Sequence, residues 1–157
     1  MMGRLLYMRI ESYQKEHFET CMQIIQSNTP KYILPIEHLD FKKYLLKEDK
    51  TYFVFFKNNN LVACGGYGLN ETKTKAGLCW GLVHRKYHKQ GYGSRSLKYR
   101  LNHIMINYPE IEIHLDTSQH THQFFEKFGF ITEQITKNGY GEGLDKYDMT
   151  LNKDSNL

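Results

Sequence analysis

The stretch that best indicates the fold and chemistry of this chain is residues 83–94, which read VHRKYHKQGYGS. A strand-like run over residues 76–84 leads into it, and apolar positions over residues 97–108 follow it with helical spacing. Glycines at such a junction let the backbone approach a ligand, and free N–H groups at the helix N-terminus favour an anion. The turn therefore predicts a phosphate site, although an ordinary glycine turn with a solvated basic rim would look the same. Lysine and Ser/Thr do not follow a glycine here, and Ser96 replaces a third glycine, so neither a P-loop nor a dinucleotide fingerprint is present.

The rest of the chain alternates helices and strands in an order typical of one mixed α/β domain around a central sheet. Hydrophobic periodicity predicts helices at residues 18–25, 41–45, 97–108 and 121–128. Strands are predicted at residues 5–10, 51–57, 61–69, 76–84, 111–115, 131–136 and 144–151. The pair Gly65-Gly66 inside the third strand suggests a bulge or a close approach of the backbone to another group. We expect a single domain over residues 1–157.

Composition narrows the class of protein. The chain has 157 residues with 21 Lys+Arg against 17 Asp+Glu, 40% hydrophobic and 24% charged residues, which is typical of a globular protein. A net charge of +4 is too small to indicate nucleic-acid binding. The cysteines are odd in number without a CxxC pair, and no apolar run could cross a membrane, so we expect a cytoplasmic protein with no membrane contact.

Two motifs resemble the GNAT superfamily of N-acetyltransferases, which take an acetyl group from acetyl-CoA. Residues 83–94 are similar to the family's pyrophosphate motif, Arg/Gln-x-x-Gly-x-Gly/Ala after a strand that ends in valine. Residues 115–118, LDTS, lead into residues 124–130, FFEKFGF, which are similar to the family's Phe-Tyr-Glu-Lys-Leu-Gly-Phe. The resemblance implies an α/β fold with a mostly antiparallel central sheet, splayed between its fourth and fifth strands and flanked by about four helices.

The resemblance also implies which residues hold acetyl-CoA, and it calls for no metal. The pantetheine arm would pair with the strand end at Leu82, Val83 and His84. The residues expected around the pyrophosphate are His88, Lys89, Gln90, Gly91, Tyr92, Gly93 and Ser94. The second motif adds Ser118, Phe125 and Phe128. The acceptor site would be formed by residues 28–41 and by the last hairpin near Tyr140.

Two departures from the family pattern concern catalysis. Phe125 stands where the family often has a tyrosine that can protonate the departing thiolate, and residues 76–81 lack the carboxylate that often acts as base. Asp116 is therefore the first candidate base and His120 the second, with a helix-capping role as the alternative for Asp116. Tyr140 is a candidate acid.

Other residues admit further interpretations. Tyr67 is a second candidate acid, and Tyr32 or Tyr140 could orient the amine. For each of these tyrosines the alternative is that it only packs half-buried. Cys64 and Cys79 are not expected to be nucleophiles, because a cysteine buried in a strand usually packs as a small hydrophobe. The residues that invite a metal site, although their spacing matches no strong ligand motif, are His114, Asp116, His120 and His122.

The sequence thus predicts an acetyl-CoA-dependent N-acetyltransferase that acts by direct attack on a primary amine of a small molecule or peptide. A CoA-binding sensor or interaction protein that has lost catalysis is the alternative, because of the two departures. A basic RNA-associated domain has support only from the charges within residues 86–100. Dimers are common in the family, so a homodimer stays open.

Overall fold

The computed structural model of the protein describes residues 8–154 and is built around one seven-stranded sheet in the order β1-β2-β3-β4-β5-β7-β6. The strands are β1 (Arg9–Ser12), β2 (Thr51–Lys57), β3 (Asn60–Leu69), β4 (Lys75–Val83), β5 (Glu112–Thr117), β6 (Phe130–Gly141) and β7 (Leu144–Leu151). The helices are α1 (Phe18–Ser27), α2 (Glu37–Leu45), α3 (Tyr92–Asn107) and α4 (His122–Glu126), with short 3-10 turns at Lys15–His17 and Arg85–Tyr87. All neighbouring strands are antiparallel except β4 and β5. The predicted mixed α/β fold is confirmed.

The sheet carries a helical layer on each face. On one face α3 buries Leu97, Leu101 and Ile104 against the strands. On the other face α1 and α2 bury Ile24 and Phe41. The central strands supply both layers because successive side chains of a strand point to opposite faces. No helix within residues 8–154 is long and apolar enough to span a membrane.

Two strands differ most in extent from the prediction. The first strand was expected at residues 5–10, but it is observed as β1, where its register is set by antiparallel pairing with β2. Residues 5–7 of that prediction lie outside the described part of the chain. The sixth strand, expected at residues 131–136, continues to the end of β6 because its last residue still pairs with the start of β7.

The fourth helix is shorter than its apolar pattern suggested. The prediction covered residues 121–128, whereas α4 has only five residues. The amides of Phe128 and Gly129 donate to carbonyls three residues earlier, so the chain tightens into a turn instead of continuing as an α-helix. Gly129 then leaves the turn with φ 92°, a left-handed value that glycine adopts without strain.

The strands β4 and β5 share only three residue pairs, Lys75–Glu112, Ala76–Ile113 and Gly77–His114. Beyond these pairs β5 stays with β7 through Thr117, while β4 continues beside β3 as far as Val83. The two parallel strands therefore diverge and leave a wedge between them, which confirms the predicted splay. We call the space between β4 and β5 beyond the Gly77–His114 pair the wedge.

A bulge in β4 lies beside this wedge. Cys64 of β3 pairs with Leu82, and Gly66 pairs with Cys79, so β4 has one more residue than β3 between these two pairs. Trp80, inside the bulge, has φ 46°, in the left-handed region that residues other than glycine rarely occupy. The irregularity expected at the double glycine of β3 is thus confirmed, with the extra residue in β4.

The bulge is held from the α1–α2 face of the sheet. Tyr52 as a residue is 3% exposed, and its hydroxyl donates a hydrogen bond to the Trp80 carbonyl at 2.7 Å. The indole ring packs against Phe41 and Tyr44, with ring centroids 5.0 and 6.5 Å away. A buried hydrogen bond and aromatic packing therefore offset the backbone strain at Trp80.

Replacing this hydroxyl should destabilise the protein without changing its fold. Tyr52→Phe leaves the Trp80 carbonyl without its donor, and we expect the free energy of unfolding to fall by about 1–3 kcal/mol. Urea denaturation followed by circular dichroism measures the change. Tyr99→Phe is the control, because the Tyr99 ring packs edge-on against Phe53 and its hydroxyl is not among the hydrogen-bonded groups of the described chain. Equal midpoints for the two variants would contradict a role of the hydrogen bond at the bulge.

Candidate active site

The turn between β4 and α3 ends in a glycine that starts the helix. Gly91 has φ 89°, and its carbonyl accepts the first helical hydrogen bond, from the Arg95 amide at 3.1 Å. The amides of Tyr92, Gly93 and Ser94 in the first turn therefore have no acceptor within the helix. Together with the positive end of the helix dipole, these N–H groups form an anion site of the kind that holds phosphate.

Exposed cations line the approach to this turn. The side chains of Arg85, Lys86 and Lys89 are exposed, and Lys89 has φ 62°. The His84 ring accepts a hydrogen bond from the Lys86 amide at 3.1 Å, and the Gln90 side chain donates to the Lys86 carbonyl at 3.3 Å. The side chains of His84 and Gln90 thus stabilise the loop.

The second motif lies directly against the first. A Cβ at Gly93 would be 3.7 Å from a ring atom of Phe124 and from Val83. Phe124 in turn packs on Phe125 and Phe128, at centroid distances of 5.0 and 5.2 Å. The two motifs that carry the family resemblance therefore meet at the start of α3. The Phe125 ring is held among aromatic neighbours and offers no hydroxyl.

The end of β4 presents its carbonyl edge to the wedge. The His84 amide donates to Val62 of β3 at 2.9 Å, and the Val83 carbonyl of the same peptide therefore points the opposite way, into the wedge. Two side chains reach this carbonyl, the His88 ring at 2.9 Å and the Asn28 amide at 3.0 Å. Asn28 is 4% exposed, and sequence reasoning did not single it out.

An aromatic ring spans the outer end of the wedge. Tyr32, in the loop between α1 and α2, lies edge-on to His88 after β4 and to His120 after β5, with centroids 5.4 and 5.7 Å away. The His120 amide donates to the buried Ser118 hydroxyl at 3.2 Å. Tyr32, His88 and His120 are thus neighbours, although they were predicted separately for the acceptor site, the cofactor site and the base.

Asp116 and Tyr140 meet at the end of β5. The Tyr140 hydroxyl, at the end of β6, donates a hydrogen bond to the Asp116 carboxylate. Burial, this hydrogen bond and the neighbouring carboxylates raise the pKa of Tyr140 well above its usual range. The alternative that Asp116 caps a helix is wrong, because it lies within β5 and the residue before α4 is Thr121.

A third member of this group was missed by sequence reasoning. Burial raises the pKa of Glu37, at the start of α2, and the charges of Asp116 and Asp40 add to the rise, while a hydrogen bond from the Leu34 amide at 2.9 Å opposes it. The charge of Glu37 also raises the pKa of Tyr140. We call Glu37, Asp116 and Tyr140 the acidic cluster. A search for carboxylates within residues 28–41 would have found Glu37 and Asp40.

Two other candidates have their side chains engaged by other groups. The Tyr67 hydroxyl is 2.6 Å from a ring nitrogen of His103 in the second half of α3, so the structure does not bring it to the acidic cluster. The Cys79 thiol donates to the Tyr44 hydroxyl at 3.4 Å, and burial raises its pKa. A thiol kept protonated in this way is a poor nucleophile, in line with the prediction.

The histidines considered for a metal site are dispersed. His122 stacks on Tyr147 with centroids 4.2 Å apart and lies 3.1 Å from Glu126. His114 lies across from Gly77 at the last pair of β4 and β5. Within residues 8–154 no three His, Cys, Asp or Glu side chains are grouped so that they could hold a metal ion.

Comparison with solved structures shows which folds this chain shares. The ribosomal-protein-S18-alanine N-acetyltransferase from Escherichia coli aligns over 96% of this chain and 100% of its own, at 17% identity and TM-score 0.77. A Desulfovibrio desulfuricans protein described as a GNAT-family acetyltransferase aligns over 92% of this chain and 98% of its own, at 17% identity and TM-score 0.79. An aminoglycoside 6'-N-acetyltransferase solved with coenzyme A aligns over 90% and 95%, at 14% identity and TM-score 0.73. At these identities the likeness establishes the fold.

The family is established by sequence. No curated protein matches the chain. The family model described as acetyltransferase (GNAT) domain matches residues 11–153, which include every strand and helix from α1 to β7. This match confirms the resemblance on which the acetyl-CoA prediction rested. The chain therefore belongs to the GNAT superfamily of N-acetyltransferases, enzymes whose acetyl donor is acetyl-CoA.

Proposed function

We propose that this protein acetylates a primary amine by direct attack on acetyl-CoA in the wedge, with the acidic cluster receiving the amine. The observation that carries the proposal is the hydrogen bond between Tyr140 and Asp116 beside Glu37, whose pKa is raised. The cluster lies at the C-terminal end of β5, and the phosphate turn follows the C-terminal end of the parallel strand β4. The two substrates would thus enter the wedge from one edge of the sheet.

The cofactor is proposed to bind along β4 and the start of α3. The free amides of Gly93 and Ser94 and the exposed cations before them would hold the pyrophosphate. The pantetheine arm would run along the edge of β4 as an added strand. Because the Val83 carbonyl already accepts from Asn28 and His88, an amide of the arm would take the place of the His88 ring there.

The acidic cluster supplies a route for the protons. Glu37 would take the proton that makes the incoming ammonium a nucleophilic amine, since its raised pKa suits a base better than that of an ordinary carboxylate. After attack on the thioester carbon, Asp116 would accept the second proton from the nitrogen. Tyr140, bonded to Asp116, would pass its own proton to the departing thiolate and be reprotonated by Asp116. His120 is the alternative base, because Tyr32 holds its ring at the same opening.

The charge of the cluster also indicates the class of acceptor. The charges of Asp116 and Asp40 raise the pKa of Glu37. The charges of Asp116, Glu37 and Asp148 raise the pKa of Tyr140. Such a group of carboxylates favours a cationic amine over a neutral or acidic one. Two proteins of similar fold are named for an aminoglycoside and for an alanine of a ribosomal protein, so both small molecules and peptides belong in the search.

A second function is favoured by one observation. Phe125 packs edge-on against Phe124 and Phe130, with centroids 5.0 and 6.0 Å away, at the position where the family often has a proton-donating tyrosine. A protein that has the glycine turn before α3 but lacks a proton donor for the departing thiolate would bind CoA without transferring an acetyl group. The alternative is therefore a CoA-binding sensor or interaction protein.

A single experiment separates the two functions. The purified protein is incubated with acetyl-CoA and a panel of primary amines, and free thiol is followed together with calorimetric binding of acetyl-CoA. We expect binding and a thiol release that depends on a cationic amine. Binding without acetylation of any amine would favour the sensor, and absence of binding would contradict both functions.

The left-handed glycine of the turn should be essential for cofactor affinity. Gly91→Ala introduces a side chain at φ 89°, which costs about 1–2 kcal/mol and disturbs the first amides of α3. We expect acetyl-CoA affinity to fall roughly tenfold in calorimetry. Gly68→Ala is the matched control, because a Cβ at Gly68 would meet no atom within 4 Å. Equal affinities of the two variants would argue against the turn as the pyrophosphate site.

The proposed base should be visible in the pH profile. Because the pKa of Glu37 is raised, kcat/KM should fall on the acid side with a pKa above the usual value of about 4.3. Glu37→Gln keeps an acceptor for the Leu34 amide but cannot take a proton, so that limb should vanish and kcat should drop by about 10²–10⁴. Glu19→Gln, in the first turn of α1, is the control.

The stability of the same variants provides an independent check. A carboxyl whose folded pKa is raised stabilises the protein when protonated, and this contribution is lost as pH rises through the folded pKa. Wild type should therefore lose stability relative to Glu37→Gln as pH rises. If Glu37→Gln shows the same pH profile of kcat/KM as the wild type, Glu37 is not the base.

A further inference from the structure

One buried cation has no role in the mechanism described so far. Arg100, in the third turn of α3, is 4% exposed, and no ion pair within residues 8–154 involves it. Its guanidinium donates two long hydrogen bonds, to the carbonyls of Ser96 at 3.4 Å and Gly66 at 3.3 Å. Burying a guanidinium without a counter-charge is costly, so packing alone is a poor reason for its presence.

Among residues 8–154 no carboxylate pairs with the guanidinium. The titratable groups that act on it are thiols and phenols, those of Cys64, Cys79, Tyr44 and Tyr52. Burial lowers the pKa of Arg100, but an arginine remains charged in proteins. The cation therefore keeps an uncompensated positive field inside the sheet.

Glycines create the space for this cation beneath the β4 bulge. A Cβ at Gly65 would lie 2.9 Å from the Arg100 Cζ atom, and a Cβ at Gly81 would lie 2.7 Å from Nη2. Gly65 is the β3 residue opposite the bulge, and Gly81 directly follows Trp80 within it. The guanidinium thus lies against the backbone of both strands where their register shifts.

The bulge is consequently fixed from both faces of the sheet. Tyr52 donates to the Trp80 carbonyl from the α1–α2 side, and Arg100 donates to the Gly66 carbonyl while it lies under Gly81. Gly81 comes after the last residue of β4 that pairs with β5, so its backbone borders the wedge. The buried charge therefore stands behind the strand edge along which the thioester would lie.

We propose that Arg100 is a positioning residue for acetyl transfer, which holds the Trp80–Gly81 backbone in place at the thioester and stabilises the negative charge that develops there. The inference rests on the proposed function. As an amine attacks, charge accumulates on the carbonyl oxygen and then on the departing sulfur. A fixed positive charge in a dry environment lowers the energy of both without reorganising. Arg100 acts through the β4 backbone and does not contact the substrate.

The proposal separates catalysis from stability, and Arg100→Met tests this separation. Methionine fills similar volume without the unpaired charge, so the melting temperature should stay the same or rise. Acetyl-CoA affinity should be unchanged, because the phosphate turn is not altered. We expect kcat to fall roughly 10- to 100-fold, as for a misplaced or weakened oxyanion site. Arg100→Lys, which keeps the charge but not the planar fork, should recover part of kcat.

A second variant disturbs the contact between Arg100 and Gly81 from the β4 side. Gly81→Ala places a methyl group on the guanidinium and should lower kcat in the same way. The double variant Arg100→Met/Gly81→Ala should be no slower than Arg100→Met alone, because the displaced group is already absent. Gly68→Ala, whose Cβ would meet nothing, should keep wild-type kcat.

The outcomes distinguish this inference from the function on which it rests. Wild-type kcat in Arg100→Met, or a parallel loss of melting temperature, affinity and kcat, would overturn the positioning role while leaving the acetyltransferase intact. Additive losses in the double variant would also overturn it. Wild-type protein that acetylates no amine would overturn the proposed function, and the inference with it.

Discussion

The divergence of β4 from β5 after Gly77 is the constraint on which the rest of this structure depends. A strand that loses its partner leaves backbone donors and acceptors that must be satisfied by other groups. At Val83 the protein itself supplies two donors, Asn28 and His88, so the open edge is protected while no ligand is present. The same edge is what an extended cofactor arm can pair with. In the proposed binding mode, an amide of the arm would replace the His88 ring as donor at this carbonyl.

The bulge solves a second problem that the divergence creates. β4 has to pair with β3 on one side while its other side opens, and the extra residue at Trp80 allows the strand to change direction without losing the β3 register at Leu82. As a result, the backbone of Trp80 lies in the strained left-handed region. The Tyr52 hydrogen bond offsets the strain at Trp80 on one face, and on the other face the Arg100 guanidinium donates to the Gly66 carbonyl. Strain and buried polarity are therefore concentrated at the point where the wedge begins.

Local motifs could be predicted from the sequence, and the family resemblance indicated which segments lie together, but the individual side chains that meet across those segments could not be predicted. The glycine turn depends on conformations available to Gly91 and on the start of one helix, so a short stretch specifies it. Glu37 belongs to the site only because a loop folds against the last hairpin, where a Cβ at Gly141 would be 2.3 Å from Leu34. Nothing in the residues around Glu37 encodes that contact. The contact of the Tyr67 hydroxyl with His103 on α3 likewise could not be predicted from the residues near either of them.

The net charge of +4 conceals a separation of charge that the fold produces. Cations gather before α3, where a phosphate would lie, and carboxylates gather around Tyr140, where an amine would arrive. The cations follow the end of β4 and Asp116 lies near the end of the adjacent parallel strand β5, so charges of opposite sign stand at the ends of the two strands that border the wedge. Such an arrangement orients an anionic donor and a cationic acceptor before either makes a specific contact.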